Sequence, residues 1–191
     1  MPATFRELIA RYGSDKASNG DAPVYDTVLK DLRDKPEKLL EIGIGTMKPN
    51  VPSSMTYVFG DGGAYTPGAS LRAFRDYFPQ GQIYGGDVQD DCMFEEERIT
   101  TLLFDSTDKQ ACDNALGDLT FDIIVDDGLH TTAAQVATFH HLWPRLNEGG
   151  IYFIEDVHNP LFTHWKQIFS WVPCEKWEYS NGTWTFLVFS K

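Results

Sequence analysis

Apolar residues recur along the chain in two periods that take turns. Phe5, Leu8, Ile9 and Tyr12 fall at helix spacing, with Gly13 ending the run, which predicts an amphipathic first helix. A polar loop, GSDKASNGD, separates it from a second helix predicted over Pro23 to Leu32. Short apolar runs bounded by glycine or polar residues then appear at KLLEIGIG (38–45), QIYGGDV (82–88), TTLLFD (100–105), FDIIVDD (121–127) and GIYFIED (150–156). Such runs suit strands buried on both faces of a parallel sheet. Between them, ASLRAFRDYF, STDKQACDNAL and TTAAQVATFHHLW keep helical spacing, and DDCMFEEER predicts a short acidic helix. After a helix over about Pro160 to Phe169, WEYS and TWTFLVFS flank Asn181-Gly182, a strong hairpin signal.

The alternation predicts an α/β fold, a doubly wound and mostly parallel sheet with crossover helices on both faces and an antiparallel pair at its end. Thr46 to Pro67 is rich in Gly, Pro and Ser and too long for a mere connector, so residues 46–67 are expected to form an active-site lid. At 191 residues, with 42% hydrophobic and 23% charged, the chain is expected to be one domain, 1–191, with residues 1–35 as an N-terminal helical segment. The formal net charge of −12 argues against nucleic acid and anionic membranes as partners. Cys92, Cys112 and Cys174 make no CxxC pair and read as free thiols of a reducing compartment. No leader-like or membrane-spanning run is present, so a cytoplasmic location is expected.

In Glu41-Ile42-Gly43-Ile44-Gly45 the glycines fall where a strand turns into a loop and would let a ligand approach the backbone. The third glycine of the dinucleotide fingerprint is missing, since Met47 and Lys48 follow Thr46. Once the insertion 47–67 is set aside, Asp87 falls about 20 residues beyond Gly45, the spacing of a ribose-binding acid; capping of the following segment is the bland alternative. Asp105 is placed either to receive an adenine amine or to cap the next helix. Glu41 is awkward beside a pyrophosphate but suits the ammonium of an amino-acid moiety, which favours S-adenosylmethionine over a dinucleotide.

FDIIVDDGLH places Asp126, Asp127 and His130 at one strand end, and YFIEDVH places Glu155, Asp156 and His158 at the next. Carboxylates converging there would repel one another without a cation, and an oxygen-rich set without cysteine favours Mg²⁺, Mn²⁺ or Ca²⁺ over Zn²⁺. Acids merely fraying into solvent would explain one pair better than two.

From about Tyr12 to Val157 the chain resembles class I S-adenosylmethionine-dependent methyltransferases, with LLEIGIGT as their first motif. Through RYGSDKASNGDAPVYDTVL, PGASLRAFRDYFPQGQIYGGDV, DDGLH and EDVH it resembles their metal-dependent macrolide-sugar O-methyltransferases and the cephalosporin-hydroxylase-type family. The resemblance implies a Rossmann-like sheet of seven strands, with Asp127, Glu155 and Asp156 binding Mg²⁺ and His130 as general base. Glu41, Gly43, Gly45, Asp87, Asp105, Asp126 and Lys16 form the expected cofactor-binding set, with Lys16 either on the cofactor carboxylate or on the surface. The expected reaction moves a methyl group to a hydroxyl of a small molecule, such as a glycosyl or other secondary-metabolite hydroxyl. Nothing in these residues corresponds to the N-terminal auxiliary domain that some macrolide enzymes carry, which leaves the acceptor open, as it does the choice between monomer and homo-oligomer. The competing readings are a catechol-type methyltransferase, a non-catalytic S-adenosylmethionine-binding module and a nicotinamide-dependent oxidoreductase. Trp165 and Trp171 read as core residues or, alternatively, as lining of an acceptor pocket, Tyr57 and Tyr65 of the lid as contacts to the cofactor carboxylate or the substrate, and His158 as standing behind the metal.

Overall fold

A computed structural model describes residues 2–18, 21–35, 38–60, 63–158, 161–180 and 185–191. Helix α1 (Phe5–Tyr12) begins on a reciprocal cap, in which the Glu7 amide donates to the Thr4 hydroxyl and the Thr4 amide donates to the Glu7 carboxylate. Helix α2 (Ala22–Val28) follows, shorter than the predicted run to Leu32. The strands are β1 (Lys38–Ile42), β2 (Gln82–Asp87), β3 (Glu95–Glu96), β4 (Ile99–Leu103), β5 (Phe121–Asp126), β6 (Leu146–Ile154), β7 (Glu175–Ser180) and β8 (Thr185–Ser190). They form one sheet in the order β3-β4-β2-β1-β5-β6-β8-β7. The strands from β4 to β6 in that order run parallel, and β8 returns antiparallel to both β6 and β7.

Because β1 lies mid-sheet with β2 on one side and β5 on the other, the connections after β1 and β5 leave in opposite directions. Their divergence opens a crevice at the carboxyl ends of the strands. Side chains alternate across a strand, and the two faces of β1 belong to two separate cores. Leu39, with Ile123, Val125 and Phe153, packs under α1, α2 and α4 (Ala69–Tyr77). Leu40, with Ile124 and Tyr152, packs under α5 (Lys109–Leu116), α6 (Thr132–Leu142) and α7 (Leu161–Ile168). Fully buried rings dominate both layers: Phe5, Tyr25 and Phe74 on the first, Phe139, Phe169 and Phe189 on the second. Each such ring contributes roughly 2–3 kcal/mol by burial.

The sheet has eight strands rather than seven. The extra strand is β3, antiparallel to β4, and it replaces most of the acidic helix predicted at DDCMFEEER; only a single 3₁₀ turn forms there, over Asp90–Cys92. Thr101 explains the preference, since its hydroxyl both accepts from the Phe94 amide at 2.7 Å and donates to the Phe94 carbonyl at 2.6 Å, fixing extended backbone beside β4. The Asn181-Gly182 turn lies outside the described residues, although Ser180 and Thr185 pair across it. The long loop is partly ordered by its own hydrogen bonds. The Met55 amide donates to the Thr46 carbonyl, the Gly68 amide to the Ile44 carbonyl, and α3 (Thr56–Phe59) forms one helical turn. Among the described residues no helix is long and apolar enough to cross a membrane.

Candidate active site

The crevice is a cavity of about 520 Å³ lined by Gly43, Gly45, Asp87 and Asp105 and by Lys16, Asp127, His130, Asp156 and His158. Both glycines have left-handed backbone, at φ +82° and +87°, but their neighbours are protein. A side chain at Gly43 would strike the Asp127 carbonyl, and one at Gly45 would strike the Tyr65 ring. Tyr65 hydrogen-bonds the Ile44 carbonyl at 3.1 Å and stacks on Phe59. The first motif is therefore shaped as much by internal packing as by room for a ligand. Asp87 accepts from the Ile44 amide (3.0 Å) and the Gln89 amide (2.9 Å), which tie its carboxylate to the β1 loop while it still faces the cavity. Asp105 accepts from the Thr107 amide and hydroxyl through one oxygen. These bonds close a local turn, and the cap of α5 falls instead to Asp108, which accepts from the Ala111 amide.

Beneath the Lys16 and Asp127 side of the cavity lies a cluster of buried charges. Lys16, on the 3₁₀ turn Asp15–Ala17, is 2% exposed. Its ammonium contacts Asp127, Glu155 at 2.9 Å and Glu41 at 3.4 Å, so it joins the N-terminal segment to the ends of β1, β5 and β6. Burial alone would lower the Lys16 pKa, but Asp127, Glu155 and Glu41 raise it well above its ordinary value. Asp127 shows the reciprocal effect, its carboxyl lowered by Lys16 and His130 against the pull of burial. Glu155 gives its other oxygen to the Tyr25 hydroxyl, and burial raises its pKa. Glu41 accepts from the Ser70 hydroxyl at 2.6 Å; burial raises it to about 7 despite Lys16.

Among the described residues two sets of three could hold a cation, and they share Asp127. One is Asp127, His130 and Asp156; the other is Glu41, Asp127 and Glu155. The expected trio of Asp127, Glu155 and Asp156 does not converge as one set. Glu155 points back into the sheet, on the face of Phe153, whereas Asp156 lies past the strand end with φ +49°, a conformation costly for a residue with a side chain and typical of functional sites. Buried oxygens without a hydrogen-bond partner among the described residues occur at Asp156 Oδ1, Glu41 Oε1 and Asp21 Oδ1. Surplus carboxylate oxygens of this kind fit a hard divalent cation such as Mg²⁺ or Mn²⁺. His130 stands between two of the acids, with Nε2 3.1 Å from Asp127 Oδ1 and Nδ1 3.6 Å from Asp156 Oδ2. Burial lowers its pKa, but the hydrogen bond to Asp127 and the charges of Asp127 and Asp156 prevail and raise it to about 9.

Two expected cofactor contacts are displaced. Asp126 is on the opposite face of β5 from Asp127 and does not line the cavity; it is 2% exposed, accepts from the Gly128 amide at 3.3 Å and is raised to about 7 by burial. Glu41, 0% exposed, lies below the cavity floor. Trp165 is buried with its indole N–H donating to Glu178, and Trp171 is half exposed and stacked on His140; neither lines the cavity. Tyr57 sits exposed at the cavity mouth. Tyr25, Ser70 and Asp21 had no sequence signal beyond an ordinary helix face, yet they border the charged cluster.

The mid-sheet crevice, the glycine turn, the strand-end acids and the antiparallel terminal pair together define a class I methyltransferase fold. Within that class the chain is a relative of O-methyltransferases named for macrolide and tetracenomycin substrates. It is 35% identical over 154 residues to mycinamicin VI 2''-O-methyltransferase of Micromonospora griseorubida, a match covering 79% of this chain and 35% of that protein. It is 33% identical over 154 residues to the 8-demethyl-8-alpha-L-rhamnosyl tetracenomycin-C 2'-O-methyltransferase of Streptomyces olivaceus, covering 78% of this chain and 36% of the relative. The chain thus spans about a third of the length of these curated relatives. The MycE methyltransferase of the mycinamycin biosynthetic pathway, solved in complex with Mg, SAH and mycinamycin VI, superimposes with a TM-score of 0.74 at 27% identity, over 97% of this chain and 54% of that one. No family model matches the chain.

Proposed function

We propose that residues 1–191 act as one S-adenosylmethionine-dependent, divalent-metal-dependent O-methyltransferase domain whose acceptor is a hydroxyl of a glycosylated small molecule. The observation that carries this reading is one cavity lined both by the first-motif loop with Asp87 and by Asp127, His130 and Asp156. Asp87 is assigned to the cofactor ribose and Asp105 to the adenine amine. Gly43 and Gly45 admit the cofactor beside β1, and Asp127 and Asp156 hold the cation. When bound, the cation makes an alcohol proton easier to remove and the cofactor supplies an electrophilic methyl group. The chain's own work is then to orient, through Asp127 and Asp156, and to accept a proton at His130. Methyl transfer needs little covalent help, so positioning carries much of the rate.

His130 accepts a proton only when its ring is neutral, and in the metal-free site its two carboxylate neighbours keep it protonated at pH 7. A cation shared by Asp127 and Asp156 would offset the charge that holds that proton. The base and the metal are therefore interdependent in this reading. A second assignment, His130 as a metal ligand, is favoured by its place in the set with Asp127 and Asp156.

The test is calorimetric titration of S-adenosylhomocysteine with and without Mg²⁺, followed by methyl transfer to mycinamicin VI and to a catechol. Binding of S-adenosylhomocysteine with Mg²⁺-dependent transfer to the glycosylated acceptor is expected. Tight binding with no transfer to any acceptor, and indifference to Mg²⁺, would instead identify a binding module. A nicotinamide cofactor binding in place of S-adenosylhomocysteine would overturn the assignment entirely.

A further inference from the structure

Lys16 contacts the same carboxylates that one of the two candidate cation sets offers, namely Asp127, Glu155 and Glu41. An ammonium and a divalent cation drawn to the same buried oxygens compete for them. The displaced ammonium, 2% exposed, cannot be left without a partner in the interior, because an unpaired buried charge is strongly disfavoured. It needs a second acid within reach.

Asp21 has the properties of that acid. It is 2% exposed, it stands at the start of α2 yet makes no capping bond, and its Oδ1 has no hydrogen-bond partner among the described residues. Burial raises its carboxyl to about 7, and Lys16 is the cation that opposes this rise while Asp127 and Asp156 reinforce it. Asp21 therefore borders the same cluster without being engaged in it. It lies on the N-terminal segment that also carries Lys16, so both partners of the exchange stand outside the sheet.

We propose that Lys16 is an internal counter-ion exchanged for the divalent cation: its ammonium pairs with Asp127 and Glu155 in the metal-free protein and turns to Asp21 when the cation takes those carboxylates. The exchange rests on the divalent-cation site proposed above and adds that the cation, held by Asp127 and Asp156, also draws on Glu155 and Glu41 of the second set, which shares Asp127. It makes Lys16 and Asp21 positioning residues that set metal affinity without binding the metal. It also accounts for an unsatisfied acid in the interior, which otherwise only destabilises the fold.

Mn²⁺ titration of the full chain, followed by electron paramagnetic resonance, tests the exchange in the wild type, Lys16→Met, Asp21→Asn and the double variant. Asp21→Asn is expected to weaken Mn²⁺ binding by about tenfold or more, the scale on which groups behind metal ligands act, because the ammonium has lost its alternative partner. Lys16→Met should tighten binding by removing the competitor. In the Lys16→Met background, Asp21→Asn should then change affinity by less than about twofold, since sites that act only through each other are not additive. Thermal melts check each variant, and Lys16→Gln replaces Met if the latter fails to fold. An equal weakening by Asp21→Asn in both backgrounds, or no weakening in either, overturns the exchange while leaving the metal site standing. Absence of Mn²⁺ binding to the wild type removes both.

Discussion

Adding Mg²⁺ to the metal-free protein should move the His130 titration through neutral pH. In the metal-free site the imidazole titrates near 9, because the Asp127 hydrogen bond and the charges of Asp127 and Asp156 outweigh burial. Against an ordinary histidine near 6.5, that difference corresponds to roughly 3 kcal/mol of preference for the charged ring in the folded state, reduced somewhat by the ring's 26% exposure. Because the folded pKa is the higher one, this stabilisation is fully present below about pH 6.5 and is lost as pH rises through about 9. A cation on Asp127 and Asp156 offsets the responsible charge, so the apparent pKa should fall by about two pH units or more. The assay is an NMR titration of the imidazole protons with and without saturating Mg²⁺, with His130→Gln identifying the resonance. His130→Gln should also flatten the decline in metal-free melting temperature between about pH 7 and 9. The acids raised to about 7, Glu41, Asp21 and Asp126, lose their contribution mainly below that window and so do not mask it. An imidazole pKa that stays within about half a pH unit on Mg²⁺ addition would refute the coupling between base and metal.

Chelation with EDTA should abolish methyl transfer while leaving S-adenosylhomocysteine affinity nearly unchanged, as calorimetry would register, because Asp87 is held by the Ile44 and Gln89 amides and belongs to neither set that could hold a cation. His130→Ala should lower kcat by about 10²–10⁴-fold with Mn²⁺ affinity retained if the ring is the base; lost Mn²⁺ affinity would make it a ligand. Asp126→Asn should raise stability at pH 8 by up to about 4 kcal/mol, since an acid whose folded pKa is raised loses stability as pH climbs from its unfolded value to its folded one, a loss complete by pH 8, and cofactor affinity should not change. Tyr25→Phe removes the donor to Glu155 and should cost about 1–3 kcal/mol, measured by denaturant midpoint.

Long apolar runs made the parallel strands readable, because burial on both faces leaves an unbroken hydrophobic word. β3 was invisible for the opposite reason: two glutamates carry no period, and what fixes them is Thr101, five residues further along. The acids divide in the same way. Strand alternation sorts Asp126 from Asp127, so the displacement of Asp126 was available from parity; Glu41 and Glu155 share the face of Leu39, Val125 and Phe153 with Asp127, and their displacement was not. The residue types suggested four carboxylates facing one ligand, whereas the pleat turns some of them inward. Lys16 carried no such clue. It sits on a 3₁₀ turn outside any periodic element, and its partners are 111 and 139 residues away, so only the assembled sheet reveals it as a core residue. Tyr25 falls inside the second predicted helix, but the task of its hydroxyl depends on Glu155.

The contact between Tyr65 and Gly45 has a practical bearing on engineering acceptor choice. Segment 46–67 is the natural stretch to transplant between relatives, since it borders the cavity mouth without contributing to the sheet. Yet its Tyr65 ring rests on the glycine turn, and its hydroxyl bonds the Ile44 carbonyl. A chimaera whose donor loop lacks an aromatic at that register therefore releases the turn here assigned to the cofactor. Its altered selectivity would then arrive with a weakened hold on the methyl donor, unless Tyr65 and its stacking partner Phe59 travel with the graft.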